Sequence, residues 1–341
     1  MLTFIIRRLM MLPITLIGVT IFVILLTQLL SPTQRAAAYV KSEAQLKNIE
    51  NVIEQYGIDK PWYIQYGNWL KQAVQGNFGF SKSTGEPVLT AFWRRFPNTV
   101  ELAILVIIPT LLFGIGFGVL AALNRDSLID QIIRASATML WSLPTFVLAI
   151  WLLAIFYGGL GWFGFGQVST AHKLEIIKGG FNNYTHFMLI DSLLNGRFDI
   201  FWDAAGKLVL PVVTMVAVVS AMIIRVMRST LLDVLNQDFV RTARAKGLES
   251  SKVNYKHALR NALIPIVTLG GGLLMGLIEG ATIVEYIFAR PGVGSLMVTA
   301  SLQLDIATLL ASATFLAIVT VISFVLIDVL YAVVDPRIRY S

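Results

Sequence analysis

The chain contains no cysteine, and only 14% of its 341 residues are charged. The absence of cysteine excludes a disulfide framework and any thiolate metal site. Hydrophobic residues make up 56% of the sequence, and the mean hydropathy is +0.72. This composition is too apolar for a soluble domain and indicates an integral membrane protein.

The motifs that identify common enzyme classes are also missing. No GxxxxGK[ST] phosphate loop occurs, because the nearest fragment, Gly206-Lys207, continues into Leu208 and has no earlier glycine. No HExxH motif is present and the three histidines are scattered, so no metal site is expected. Motif spacing assembles no catalytic serine with a nearby histidine and aspartate. We therefore expect a chain that is not an enzyme and binds no cofactor itself.

Six apolar runs are long enough to cross about 30 Å of hydrocarbon, which takes about 20 helical residues. They predict an all-α membrane protein with six transmembrane helices. The first run follows Arg7 and Arg8, so a cleaved signal peptide is the alternative for that run. Its length of about 22 residues exceeds the apolar core of a signal peptide and favours a true span. The six runs cover residues 9–30, 99–123, 132–157, 208–227, 262–284 and 306–334.

Lysine and arginine are unevenly distributed among the segments that connect these runs. With a cytoplasmic N-terminus, the inner segments hold 14 of them in 64 residues, and the outer segments hold 13 in 136 residues. Because cytoplasmic loops carry the excess of basic residues, both termini are predicted to be cytoplasmic. The net charge of +7 is concentrated on that side, which suits a membrane surface or a protein partner better than nucleic acid. The inner segments are 1–8, 124–134, 225–262 and 335–341.

The predicted outer segments contain short helices. Residues 42–56 place apolar side chains at helical spacing, and Gly57 supplies the stop. A second helix is predicted from Pro61 to about Gln75. Short helices are also predicted near 187–194 and 198–205. The predicted organisation is an N-terminal helix (1–30), an extracytoplasmic helical segment (31–95) and a five-helix core (96–341) that carries an extracytoplasmic insertion (158–207) and an inner loop (228–262).

Carboxylates near the predicted spans are few and shallow. Glu101 opens the second span with Asn98 as its cap, and Asp328 lies near the inner end of the sixth. Glu279 and Glu285 lie near the outer end of the fifth span; Glu279 is the deepest and could line a substrate pathway or pack in its wall. Proton- or sodium-driven carriers usually place such groups deep in their spans. A partner is therefore favoured as the energy source over a self-sufficient secondary carrier or channel.

The longest inner loop contains DFVRTARAKGL, residues 238–248, which we call the basic segment. Apolar residues at Leu232, Leu235 and Phe239 recur at helical spacing, so a helix is predicted over 229–246. Small side chains at Ala243 and Ala245 would keep the last turns of that helix thin enough to enter a groove.

A glycine and a pair of serines predict a turn and a second helix after this one. Gly247 suits the left-handed conformation that ends a helix. Ser250 or Ser251 can then cap a second helix, 252–261, which returns to the fifth span. The two helices would form a rigid hook that projects from the membrane. The alternative is an amphipathic helix that lies on anionic lipid.

The basic segment carries a resemblance to a known family. Arg241-Thr242-Ala243, three residues and then Gly247 resembles the EAA-xxx-G signature of ABC importer permeases, with Ala243 at its last alanine. The runs RTARAKGL (241–248) and HALRNALIP (257–265) are those typical of its dipeptide/oligopeptide branch. Further stretches that resemble the first of the two permease types in this branch are YGIDKPWYIQYGNWL (56–70), GNFGFS (76–81), PNTVELA (97–103), SLPTF (142–146), VEYIFARPGVG (284–294) and DPRIRY (335–340).

The resemblance implies a type I ABC importer permease fold and a set of partners. Such permeases pair with a second, homologous permease subunit, and an extracytoplasmic substrate-binding protein delivers their substrate. Two cytoplasmic ATPase subunits, which carry the ATP and Mg, bind the segment that corresponds to the basic segment. The branch carries di- to oligopeptides, and some members carry oligosaccharides or nickel complexes. The residues expected to couple to the ATPases are Asp238, Arg241, Thr242, Ala243, Arg244, Lys246, Gly247 and Leu248.

A proline- and glycine-rich stretch lies after the fifth span. Pro291, Gly292 and Gly294 predict a tight turn that stands a short helix, about 295–303, against the outer mouth. Together with Glu285, this turn is a candidate gate, and the alternative is a structural connection. Glu285 could hold the turn through backbone N–H groups.

Overall fold

The computed structural model describes residues 2–36 and 48–334, and helices dominate this part of the chain. The predicted helical class is confirmed. One antiparallel hairpin, which the sequence pattern did not predict, pairs Phe80 with Pro87 and Ser81 with Glu86. Residues 42–47 of a predicted outer helix and the DPRIRY stretch (335–340) lie outside the described residues.

The elements follow the predicted order of apolar runs. Two π-helical segments, Leu153–Gly159 and Lys252–Ala258, continue directly from or into α-helices. The elements are α1 (Leu2–Thr27), α2 (Pro32–Ala36), α3 (Ile49–Tyr56), α4 (Trp62–Val74), β1 (Phe80–Ser81), β2 (Glu86–Pro87), α5 (Val88–Leu123), α6 (Leu128–Ser142), α7 (Thr145–Leu152), α8 (Thr170–Lys178), α9 (Met188–Leu194), α10 (Phe198–Leu235), α11 (Asp238–Ala245), α12 (Leu259–Ile287), α13 (Val293–Leu302) and α14 (Ile306–Val334).

The chain divides into two compact units, and the division passes through α5. The first unit comprises Met1–Thr99, Asn183–Phe187 and Arg290–Ser341. The second unit comprises Val100–Asn182 and Met188–Ala289.

The first unit has a core in which α1 and the short outer helices pack with α14. Ile24, Val52, Ile58 and Trp69 are buried together with Leu310. Gly57 has φ +62° and ends α3, as predicted. This packing accounts for the apolar side chains of the outer helices.

The hairpin of the first unit is tied to the start of α14. Asp305 is buried, and its Oδ2 accepts hydrogen bonds from Ser81 Oγ at 2.9 Å and Ser83 Oγ at 2.8 Å. Thr308 Oγ1 donates to the same oxygen at 2.7 Å. The Asp305 carboxylate therefore fixes the hairpin to the start of α14 within the first unit.

The second unit is built around α10. Gly114 and Gly118 of α5 let that helix approach α10 closely, since a Cβ at either position would lie 2.6 Å from Ile223 or Met227. Small residues four apart allow this kind of backbone contact between membrane helices. A single apolar cluster buries residues of α5, α10, α11, the π-helical segment Lys252–Ala258 and α12. It includes Met227, Leu231, Val234, Val240, Ala243, Val253, Ala258 and Ala262.

The described part of the chain allows only some of the six predicted spans to be tested by length and hydropathy. Three pass by length and composition: α5, α10 and residues Ile306–Phe324 of α14. The pair Leu128–Ser142 and Thr145–Gly159 would count as a fourth, although the two helices are bent by 101°. α1, with 26 residues, and α12, with 29 residues, cover most of the first and fifth apolar runs, but some side chains of both helices lie outside the described part of the structure. The count of six therefore stays a prediction.

Two helices begin earlier than predicted. α5 starts at Val88 rather than near residue 99, and α10 starts at Phe198 and includes the separately predicted helix 198–205. At 1.5 Å per residue, the 38 residues of α10 extend about 57 Å, beyond a hydrocarbon core of about 30 Å. The apolar pattern shows where lipid begins and does not show where the helix begins.

The early start of α5 corrects the roles predicted for Asn98 and Glu101. Both residues lie inside the helix, so Asn98 is not an N-cap and Glu101 is not a first-turn residue. Asn98 Nδ2 donates to the carbonyl oxygen of Pro291 at 3.0 Å. Glu101 is buried, and its Oε1 accepts from the backbone N–H of Leu189 at 2.9 Å, in the first turn of α9.

Candidate functional site

The basic segment forms a short helix of its own. α10 ends at Leu235, and α11 begins at Asp238, because the backbone N–H groups of Val240 and Arg241 both donate to the carbonyl oxygen of Gln237. The single predicted helix over 229–246 is therefore wrong. The break at Asn236–Gln237 turns the chain before the basic residues.

The buried face of α11 differs from the predicted apolar stripe. Val240 is fully buried and Ala243 is 9% exposed, and both belong to the apolar cluster of the second unit. Phe239, which was placed on the stripe, is 39% exposed. The small side chain of Ala243 therefore allows α11 to pack closely against the other helices of this apolar cluster. The prediction that it thins the helix for a partner's groove gave the wrong physical reason.

The opposite face of α11 is exposed and basic. Arg241 contacts Asp238 at 3.4 Å, but both side chains are largely in solvent, so this pair contributes little to the stability of the fold. Thr242 Oγ1 donates to the carbonyl oxygen of Asp238 at 2.9 Å. Within the described residues, neither Arg244 nor Lys246 has an ion-pair partner. The exposed members of the predicted coupling set are Asp238, Arg241, Thr242, Arg244, Lys246, Gly247 and Leu248.

A glycine turn closes the basic segment, as predicted. Gly247 has φ +75°, and its N–H donates to the carbonyl oxygen of Arg244 at 2.9 Å. The N–H of Leu248 donates to the carbonyl oxygen of Ala243 at 3.3 Å. No heavy atom lies within 4 Å of a Cβ built on Gly247, so the demand for glycine here comes from the backbone conformation and not from crowding.

The returning arm is more continuous than predicted. The N–H of Val253 donates to the carbonyl oxygen of Glu249 at 3.0 Å, and the π-helical segment Lys252–Ala258 then runs directly into α12. Ser250 and Ser251 are both already helical, and Ser251 makes no side-chain cap bond, so the predicted serine cap is wrong. The arm and the helix of the fifth run therefore form one continuous helical element behind the basic segment.

The Pro291–Gly294 stretch lies in the first unit and is anchored by α5. Asn98 binds the carbonyl of Pro291, and Thr99 Oγ1 accepts from the N–H of Val293 at 2.9 Å. Gly292 is extended, and Gly294 lies inside α13, so neither glycine supplies a left-handed turn. The positive φ of +50° falls on Ala289.

The two predicted pathway glutamates both lie in α12. Glu285 is buried near the end of that helix, in the second unit. Glu279 belongs to the same helix, and its side chain lies outside the described part of the structure. A role for either glutamate in a pathway stays a prediction.

The insertion contains a network of charged side chains that the sequence pattern did not predict. Arg197 Nη2 donates to Glu175 Oε2 at 2.5 Å and to Asp199 Oδ2 at 2.6 Å. These two carboxylates raise the pKa of Arg197. His172 Nδ1 lies 2.9 Å from Asp203 Oδ2, and Lys207 Nζ donates to Asp203 Oδ1 at 2.5 Å. The pairing depends on long-range packing, which a local pattern does not reveal.

Part of this insertion network has the spacing of metal ligands. In the described part of the chain, His172, Glu175 and Asp199 form the one group whose ligand atoms all lie within 4.8 Å of one another. The guanidinium of Arg197 already bridges the two carboxylates, so a cation would have to displace it.

Two family models match the chain. The model described as "Binding-protein-dependent transport system inner membrane component" matches residues 114–340. The model of its N-terminal part, "Binding-prot-dependent transport system membrane comp, N-term", matches residues 1–103.

Several relatives align with the chain from end to end. It is 36% identical to the oligopeptide transport system permease protein AppB of Bacillus subtilis, with 100% of both chains covered. It is 35% identical to the di/tripeptide transport system permease protein DppB of Pseudomonas aeruginosa, again with 100% of both covered. It is 32% identical to the dipeptide transport system permease protein DppB of Escherichia coli, over the whole of both. The chain therefore belongs to the family of binding-protein-dependent transport system inner membrane components, as its motifs predicted, and is a multi-pass membrane permease.

Proposed function

We propose that the chain is the permease subunit of an ATP-driven importer of di- to oligopeptides and forms half of the translocation pathway with a second, homologous permease subunit. The names of the relatives that align over their whole length support peptides as the cargo. The observation that carries the proposal is the basic segment, a helix that exposes its cations on one face and buries Val240 and Ala243 on the other.

The exposed face of the basic segment is the proposed docking site for an ATPase subunit. Arg241, Arg244 and Lys246 point away from the core, while Val240 and Ala243 fix the helix to it. ATP and Mg would be bound by two partner ATPase subunits, so hydrolysis takes place outside this chain. Each cycle would then push on a helix that cannot tilt independently of α10 and α12. The chain works as a lever and not as a catalyst.

The excess of lysine and arginine in the inner segments supports cytoplasmic termini. In that orientation the basic segment faces the cytoplasm, and the insertion 158–207 faces a substrate-binding protein on the other side.

Glu279, Glu285, Pro291, Gly292 and Gly294 stay candidates for a gate or pathway. The hydrogen bonds from Asn98 to Pro291 and from Val293 to Thr99 favour the alternative for the turn, a structural connection. A gate built on this turn would have to break both bonds when it opens.

The experiment that tests the proposal is peptide uptake by reconstituted proteoliposomes. The complete complex, with the second permease, both ATPases and the binding protein, should accumulate radiolabelled trialanine only when ATP is supplied to the ATPase side. Vesicles that hold the two permeases without ATPases should not. Uptake by this chain alone, driven by an ion gradient, would establish a secondary carrier and contradict the proposal.

A further inference from the structure

A buried ion pair joins the start of α6 to α10 in the second unit. Arg228 Nε donates to Asp130 Oδ1 at 2.6 Å, and Arg228 Nη2 donates to Asp130 Oδ2 at 2.8 Å. The Asp130 side chain is fully buried, and the Arg228 side chain is 19% exposed. A two-point contact between guanidinium and carboxylate fixes direction as well as distance.

The carboxylate is also held by its own end of α6. The N–H of Asp126 donates to Asp130 Oδ2 at 3.0 Å, and Arg134 Nε lies 3.4 Å from Oδ1. Ser127 Oγ accepts from the N–H of Asp130 at 3.3 Å and caps the helix. The carboxylate is therefore oriented from the α6 side, and Arg228 binds a preorganised acceptor.

Arg228 lies in the same packed body as the basic segment. Leu231 and Val234 follow it on α10 and are buried in the apolar cluster that contains Val240 and Ala243. Closely packed side chains transmit a displacement because they leave no space to absorb it. A force on α11 therefore reaches the last turns of α10 and the guanidinium of Arg228.

Asp130 lies at the beginning of the bent helix pair. α6 ends at Ser142, and the next helix, which starts at Thr145, departs from it by 101°. Bends at short breaks between helices are places where a structure can change angle. The ion pair thus connects the basic segment with the one described apolar helix pair that has a sharp bend.

We propose that Asp130 and Arg228 are positioning residues that carry the displacement of the basic segment to α6 and the bent pair. The proposal rests on the docking of an ATPase at the basic segment and adds the route by which this chain would use that docking. If the ion pair only stabilises the fold, its removal would lower the melting temperature of the protein. It would leave the motion of α6 during the ATPase cycle unchanged.

The test monitors α6 directly in the reconstituted complex. Since the chain has no cysteine, a Leu128→Cys variant carries a unique thiol of this chain at the exposed start of α6, before the third predicted span. The rate at which a water-soluble maleimide labels it is measured with and without ATP. In the background of Asp130→Asn or Arg228→Lys, the ATP-dependent change in rate should fall roughly threefold to tenfold. Uptake of trialanine per ATP hydrolysed should fall in parallel.

Two exposed residues outside the ion pair, an arginine in the preceding turn and an aspartate on α10, supply matched controls. Arg125 Nε lies 3.2 Å from Asp126 Oδ2, with side chains 61% and 74% exposed. Asp126 is not varied, because its N–H holds the Asp130 carboxylate. Arg125→Lys and, on the exposed face of α10, Asp233→Asn change the same residue types and should leave both the labelling response and the uptake ratio as in the parent chain.

Three further outcomes keep the test decisive. An unchanged labelling response in Asp130→Asn and Arg228→Lys, with ATPases still bound, would overturn the link and leave the docking proposal standing. Failure of the ATPases to co-purify with the parent chain would overturn both. If the single variants do not fold, the apolar pair Asp130→Leu with Arg228→Met restores burial without charge. A normal ATP response in that double variant would also overturn the link.

Discussion

The two charged clusters of the second unit, the basic segment and the insertion network, differ in how their cations are satisfied. In the insertion, Arg197 bridges Glu175 and Asp199, and Lys207 pairs with Asp203. In the basic segment, the one pair that the described residues form is the long, exposed contact of Arg241 with Asp238. The cations of the insertion network are thus paired with carboxylates of the same chain. The basic segment leaves its cations available to an acidic partner surface.

The largest expected effect tests which face of α11 is buried. Ala243→Glu would place a charge inside the apolar cluster and should lower the free energy of unfolding by about 3–4 kcal/mol. Ala245→Glu adds the same side chain to the exposed face and should change it by less than about 0.5 kcal/mol. Thermal unfolding in detergent measures both. Equal losses in the two variants would mean that the assigned buried face is wrong.

The second largest expected effect tests whether the exposed cations of the basic segment bind the ATPases. Arg241→Glu combined with Arg244→Glu should weaken ATPase binding by about 3 kcal/mol, roughly a hundredfold. The fold should be retained, because both side chains are exposed. Co-purification of the ATPases and surface plasmon resonance measure the loss. Lys173→Glu with Lys178→Glu, on the exposed surface of α8, is the matched control. A similar loss in that control would indicate a general effect of charge and not a docking face.

A smaller effect tests the glycine turn at the end of the basic segment. Gly247→Ala forces an L side chain into the left-handed region and should cost about 1–2 kcal/mol. Gly206→Ala, in the helical conformation of α10 with open space around it, should be neutral or stabilise by up to about 1 kcal/mol. The opposite signs are measured by melting temperature. A stabilised Gly247→Ala would contradict the left-handed turn.

The smallest effect lies in the insertion. Glu175→Gln removes one carboxylate from Arg197, but Asp199 still binds the guanidinium and the side chain of Glu175 is half exposed. The melting temperature should therefore stay within measurement error, and ATPase binding should not change. A loss of ATPase binding in this variant would remove the contrast between the two clusters.

Local pattern predicted the elements better than their boundaries. Gly57 and Gly247 end helices as expected, since positive φ is a property of one residue and its neighbours. The starts of α5 at Val88 and α10 at Phe198 were missed. Hydropathy indicates which residues lie in lipid. It does not indicate where a helix begins or ends when that helix continues into water.

The assignment of faces required the fold. Ala243 was expected to meet a partner and instead packs inside, because its neighbours come from α5, α10 and the returning arm. Asp130 and Arg228 are 98 positions apart, and the sequence pattern predicted neither as part of a site. Contacts of that separation depend on how helices associate, which periodicity within one helix does not specify.

The most direct measurement of the central claim is the protection of the basic segment by an ATPase. A Leu248→Cys variant of the cysteine-free chain carries an exposed thiol at the end of that segment, and Ile177→Cys carries one on α8. Maleimide labelling is timed with and without the ATPase subunits. We expect the ATPases to slow labelling at Leu248→Cys at least about tenfold, as a buried interface should, and to leave Ile177→Cys unchanged. Equal labelling rates at Leu248→Cys, in a complex that retains its ATPases, would show that they dock elsewhere.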